Sequence, residues 1–139
     1  MAAASPAADR IRFLHDVDDD EKPDLMAGCA AFVLPSKPRP EFVETFGIAL
    51  VEKMLAGGGP LITTDTGGIG EAVGEHALVV PVDDPAAIAA ALDQALSLPE
   101  HEREALELRA REHALQFDRQ RVLDLLLARL HPELSPVAG

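Results

Sequence analysis

Two carboxylates, Glu44 and Glu52, stand with seven residues between them, and Phe46-Gly47 lies inside that interval. The two acids bracket the start of a helix. An acid just ahead of a helix is favoured by the positive end of the dipole, so capping is one role for Glu44. Glu52 lies among Leu50, Val51, Met54 and Leu55. A carboxylate there is either at the solvent edge, weakly paired with Lys53, or holding a ligand. Gly47 lets backbone approach a ligand closely. Amide N–H groups at a helix start suit a phosphate. Two acids so placed could hold hydroxyls on either side of a diphosphate, which is the shape of a nucleotide-sugar site.

Few other residues offer chemistry. His15, His76, His101, His113 and His131 are scattered and show no metal-ligand spacing, and His113, on a charged helix, is expected at the surface. No Walker-type Gly-Lys-Ser/Thr run and no nucleophile elbow occurs. Ser36, after Pro35, has hydrogen bonding as its expected role. Cys29 is the single cysteine and is expected to be a buried, reduced thiol, which fits a cytoplasmic location. Nothing in the residues implies a metal or a cofactor. Gly67-Gly68, followed by Glu71, forms a turn that either shapes a ligand pocket or is purely structural.

The positioning elements follow from hydrophobic periodicity. Arg10–Leu14, Ala30–Leu34, Leu61–Thr64 and Ala77–Val80 read as four short strands. Asp16–Glu21 is an acidic loop, and Lys22–Gly28 a short helix with Pro23 in its first turn. Phe46–Ala56 is a helix with Ile48, Val51 and Leu55 on one stripe, stopped by Gly57-Gly58-Gly59 and Pro60. Ile69–Val73 is a short helix. Asp84-Pro85 opens another that runs to about Leu98, with Ile88, Leu92 and Leu96 as its apolar line. Glu100–Gln116 and Asp118–Leu130 are two further amphipathic helices. Strands alternating with helices predict an α/β fold with a Rossmann-like parallel sheet of about four strands and C-terminal helices. Ligands in such folds sit at the carboxyl ends of the strands.

Composition bounds the function. The 139 residues are 47% apolar, enough for one domain with its own core. Aromatics are limited to five Phe, so Ala, Val, Leu and Ile must fill that core. A net charge of -12 argues against a nucleic-acid binder and against docking on anionic lipid. No apolar run is long enough to span a bilayer. Residues 1–8 are expected to be a loose leader, 9–131 the folded body and 132–139 a tail.

Glu44-x7-Glu52 with Phe46-Gly47 between, then Gly67-Gly68-Ile69-Gly70-Glu71, follow Arg10–Leu14 and Phe32–Ser36 in a fixed order. That series resembles the C-terminal, donor-binding domain of retaining GT-B glycosyltransferases of the group 1, family 4 type. The resemblance runs from about Asp9 to Leu130. It implies half of a GT-B fold that binds a nucleotide sugar, a UDP-sugar by preference. It places Glu44, the candidate catalytic residue, against the donor hexose. Phe46, Gly47 and Ile48 would offer N–H groups to sugar and phosphate, and Glu52 would accept from the ribose hydroxyls. Val17, Asp19 and Lys22 would border the base, and Gly67 and Gly68 would shape the pocket. The wording of residues 44–60 resembles the actinobacterial transferases that glycosylate 2-deoxystreptamine in aminoglycoside biosynthesis. The sequence departs from the family in two respects. The Arg and Lys that neutralise the donor diphosphate are not supplied before Asp9, nor is an acceptor-binding domain. The chain is therefore expected to be part of an enzyme, acting with an N-terminal domain or subunit, or a non-catalytic partner of one.

Overall fold

A computed structural model describes residues 4–40 and 47–118. The elements run α1 (Glu21–Gly28), β1 (Phe32–Leu34), α2 (Ile48–Ala56), β2 (Leu61–Thr63), α3 (Ile69–Val73), β3 (Ala77–Val79), α4 (Pro85–Ser97) and α5 (Glu100–Ala114). Two 3-10 turns, Ala8–Arg10 and Leu115–Phe117, stand outside these. The three strands form one parallel sheet whose spatial order is the chain order, β1-β2-β3. Phe32 pairs with Leu61 and Leu34 with Thr63; Leu61 pairs with Ala77 and Thr63 with Val79.

Side-chain alternation divides the core into two layers. Leu61, with Phe32, Leu34 and Ala77 beside it, packs against Leu50, Val51 and Met54 of α2, Ile69, Ala72 and Val73 of α3, and Ala114. Ile62, Val80, Val33 and Leu78 turn to the opposite face and meet Ala91 and Ala95 of α4. Like-handed crossovers that add strands in one direction place their helices on one face. The two crossover helices, α2 and α3, do share one layer. Leu50, Ile62 and Ile69 are fully buried. Each contributes on the order of 1.5–3 kcal/mol of hydrophobic stabilisation.

The α/β class and the parallel sheet agree with the sequence expectation, but the described residues hold three strands rather than four. Arg10–Leu14 is not a strand. Arg10 closes a 3-10 turn, and Ile11, Phe13 and Leu14 continue as irregular, exposed chain, Phe13 being 68% exposed. A strand needs a lateral neighbour to take its backbone hydrogen bonds, and among the described residues no strand lies beside this segment. Two expected helix faces also shift. The buried face of α2 is Leu50, Val51, Lys53 and Met54, while Ile48 is 66% exposed. On α4 the buried residues are Ala91 and Ala95, flanked by partly buried Ile88 and Leu92, with Leu96 outside. Small alanines let that helix sit close to the sheet. The expected helix Asp118–Leu130 lies, apart from Asp118, outside the described residues.

Helix ends follow their sequence signals. The Asp84 carboxylate accepts from the Ala87 N–H at 2.9 Å, with Pro85 in the first turn of α4. Asp18 accepts from the N–H groups of Asp20 and Glu21 at 3.1 and 2.7 Å and so orders the entry to α1. Helix α2 ends on Gly57 at φ 83. Its last carbonyls take donors from Lys53 and from Arg111, whose Nε reaches the Leu55 oxygen at 3.1 Å.

Candidate functional site

At the carboxyl ends of the strands, three loops meet. The end of β1 and the loop after it are fixed by Thr63 of β2 and by Thr64 just past it: Thr63 Oγ1 donates to the Leu34 carbonyl at 2.7 Å, and Thr64 Oγ1 to that of Ser36. The same loop is tied to the one after β3 by an ion pair, Lys37 Nζ to Asp83 Oδ2 at 2.6 Å. Between them α2 begins. Gly47 is buried and takes φ 73, ψ 49, the left-handed conformation that favours glycine. A Cβ there would meet Leu50 Cδ1 at 3.1 Å and Ile69 Cγ1 at 3.6 Å. The start of α2 therefore abuts the start of α3. There Gly67 also has positive φ, at 59, and Gly68 precedes the first residue of α3. Gly47, Gly67 and Gly68 thus come together at one rim. The Gly47 carbonyl accepts from the N–H groups of Leu50 and Val51 at 2.9 and 3.3 Å and so opens α2.

Glu52 lies four residues into α2, about 6 Å along the axis from Ile48. Its partner is not the neighbouring lysine. Lys53 points into the core, 2% exposed, and donates to the carbonyls of Gly57 and Gly59. Glu52 Oε2 instead pairs with Lys22 Nζ of α1 at 2.6 Å. That pair forms part of the wall of a cleft of about 550 Å³, lined by Asp19, Lys22, Pro23, Met26, Glu52 and Leu55, with Ala56 at its end. Asp19, Lys22 and Glu52, singled out separately in the sequence, therefore share one cavity. Val17 is half-buried and is not on its wall. Glu71 is exposed on α3. Glu44 and Phe46 lie outside the described residues.

A smaller cavity, about 90 Å³, lies at the other end of the sheet, where Leu61 and Ala77 begin β2 and β3. Its wall includes Lys53, His76 and Glu107 but none of the residues singled out as ligand-binding. Parallel sheets place ligands at the carboxyl ends of their strands, where the Gly47, Gly67 and Gly68 rim lies; the larger cleft runs between α1 and α2, from Asp19 and Lys22 past Glu52 to Leu55 and Ala56. Among the described residues no three His, Cys, Asp or Glu side chains come together as a metal site. No helix among them is long and apolar enough to cross a membrane.

Three features escaped the sequence reading. Lys53 is one; its place three residues after Leu50 and beside Met54 was the signal for the buried face. Burial lowers its pKa from the ordinary 10.5, with Cys29 and Glu107 acting in the opposite sense. Contrary to expectation, His113 is half-buried rather than on the surface. Its Nε2 lies 3.1 Å from the Ala72 carbonyl and its Nδ1 2.9 Å from the Gln116 amide. Its ring centroid stands 4.7 Å from that of His76 and 5.5 Å from that of Phe117. Helix α5 lies over the end of α3, which brings these rings together. Cys29 is likewise only half-buried, a free thiol donating to the Met26 carbonyl at 3.1 Å.

Residues 1–113 match the family described as glycosyl transferases group 1. The chain belongs to that family. As a group 1 glycosyltransferase sequence it is 36% identical over 86 residues to the O-antigen chain mannosyltransferase B of Escherichia coli, an alignment covering 62% of this chain and 21% of that protein. It is 34% identical over 130 residues to the D-inositol 3-phosphate glycosyltransferase of Salinispora tropica, covering 91% of this chain and 25% of that protein. The chain thus spans between a fifth and a quarter of the length of these relatives. Its three-stranded parallel sheet with covering helices is consistent with half of a GT-B fold.

Proposed function

We propose that this chain supplies the nucleotide-sugar-binding portion of a retaining glycosyltransferase that moves a hexose from UDP to an acceptor hydroxyl. The observation that carries the reading is the placement of Glu52. It stands on the helix opened by Gly47 at the carboxyl edge of the sheet, and its carboxylate lies on a cleft with Lys22 and Asp19. In this reading Glu52 accepts from ribose hydroxyls, and Phe46, Gly47 and Ile48 offer N–H groups to sugar and phosphate. Glu44 bonds the hexose, Val17, Asp19 and Lys22 border the base, and Gly67 and Gly68 shape the pocket. Leaving-group charge at the diphosphate must be stabilised, and the acceptor must be held against the donor. An N-terminal acceptor-binding domain or subunit meets the second need. The wording of residues 44–60 supports a narrower assignment, to transfer onto 2-deoxystreptamine in antibiotic biosynthesis; incubation of the complete enzyme with that acceptor tests it. The free Cys29 fits a cytoplasmic setting.

Calorimetric titration with UDP and UDP-N-acetylglucosamine, repeated on Glu52→Ala, tests the donor site. Saturable binding that the substitution abolishes is expected. Absence of binding to both ligands refutes the reading. A second reading, a non-catalytic partner that stabilises a transferase subunit, draws on the exposed apolar run Ile11, Phe13 and Leu14. A monodisperse monomer by size-exclusion with mass determination counts against it.

A further inference from the structure

We infer that Lys22 is a positioning residue for the ribose end of this site. It holds the Glu52 carboxylate in one orientation and so sets a preference for a ribonucleotide over a nucleotide without ribose hydroxyls. The inference rests on the nucleotide reading above and adds a role for Lys22 distinct from bordering the base.

Lys22 and Glu52 belong to different helices and lie thirty residues apart in sequence, so helix periodicity does not produce their contact. Nζ stands 2.6 Å from Oε2, and the two side chains are 41% and 43% exposed. An ion pair this exposed adds little to stability; its effect is geometric. A carboxylate offers about four lone-pair sites. Lys22 takes Oε2, and among the described residues no hydrogen bond engages Oε1. One oxygen is therefore held and the other faces hydroxyl donors. A glutamate side chain free to rotate would lose that freedom on binding; here it is already restrained. The helix that carries the lysine is itself held in place. Helix α1 has Pro23 in its first turn, its entry is held by Asp18, and its Met26 is buried. Charge points the same way. The cleft wall carries the acids Asp19 and Glu52, and Lys22 is the one cation on it. Without Lys22 an anionic nucleotide would meet two acids and no cation.

The test is titration of the full chain with UDP and with 2′,3′-dideoxy-UDP, for the unsubstituted protein and for Lys22→Met, Lys22→Arg and Glu52→Gln. The unsubstituted chain is expected to prefer UDP by about tenfold, the scale of a hydrogen bond to a charged acceptor. Lys22→Met is expected to reduce that preference as far as Glu52→Gln does, and Lys22→Arg to keep it. Circular dichroism establishes that each variant is folded, and Lys22→Gln repeats the comparison should the Met variant not fold. Weaker binding of both nucleotides with the UDP preference undiminished in Lys22→Met overturns the inference, because the lysine would then act by charge alone. Failure of the unsubstituted chain to bind either nucleotide overturns the nucleotide reading and this inference with it.

Discussion

Lys53 donates from its buried amine to the Gly59 carbonyl oxygen at 3.0 Å, so a side chain of α2 holds the turn that ends α2. The Gly59 N–H in turn donates to the Cys29 carbonyl, just past α1, at 2.8 Å. Helices α1 and α2 are thus joined twice, through Lys22 and Glu52 at the cleft and through Cys29 and Gly59 near the ends of both helices.

Lys53→Met is expected to lower stability by about 1–3 kcal/mol, the cost of leaving a buried acceptor without its donor. Burial lowers the folded pKa of Lys53 below 10.5. The unfolded chain therefore holds this proton more tightly, and stability rises with pH from the lowered value up to 10.5. The variant lacks that contribution. Urea midpoints measured from neutral to alkaline pH check this, and parallel rises in both proteins would refute it.

Glycine is required at position 59 by space. A Cβ there would run into the Ala30 carbonyl group, which is backbone and cannot swing aside. Gly59→Ala is expected to destabilise by more than about 2 kcal/mol. Gly28, the last residue of α1, has nothing within 4 Å of its would-be Cβ. Gly28→Ala is expected to be neutral or to stabilise by up to about 1 kcal/mol through helix propensity. Thermal melts of the two variants should move in opposite directions or differ by several degrees.

Gly47 links stability to the candidate site. Its left-handed φ of 73 disfavours any side chain, and an added Cβ would press Leu50. Gly47→Ala is expected to cost about 1–2 kcal/mol and to weaken UDP binding more than Gly28→Ala does. Equal nucleotide affinity in the two variants would separate Gly47 from ligand binding.

His76 supplies an acid-side dependence. Burial first, then His113 and Arg109, lower its pKa below 6.5, while Glu75 opposes them. The folded chain releases this proton more readily, so stability rises with pH from the lowered value to 6.5 and is lost on acidification through that window. In His76→Gln the melting temperature should fall less between neutral pH and about pH 5. An unchanged acid-side fall would place the effect elsewhere.

How much of this was legible beforehand varies by residue. Leu61–Thr64 announces a buried parallel strand because a continuous apolar run suits a sheet covered on both faces; Ala30–Leu34 also holds a strand, but β1, at the edge of the three, is only half-buried. Asp84-Pro85 and Gly57 mark helix ends by backbone chemistry local to each residue. Arg10–Leu14 misled because a strand's existence depends on a neighbour, which local pattern does not report. The stripe through Ile48 misled because the buried face of α2 runs through Leu50, Val51, Lys53 and Met54, a side that includes a lysine and so does not read as apolar. At the candidate site, Glu52, Asp19 and Lys22 could each be named from sequence. Their meeting could not, since the Lys22–Glu52 contact depends on how two helices pack.

The sheet order described above bears on how the chain acquires its shape. Each strand lies beside the one that precedes it in the chain. A ribosome delivering this sequence releases β1, then β2, then β3, and every newcomer finds its neighbour already outside the exit tunnel. No strand has to wait for a later one to be inserted between itself and its predecessor. Loop closure then involves one helix at a time, which keeps its entropic cost modest. Assembly can proceed vectorially during synthesis, with α4 and α5 following the three strands to cover the two faces.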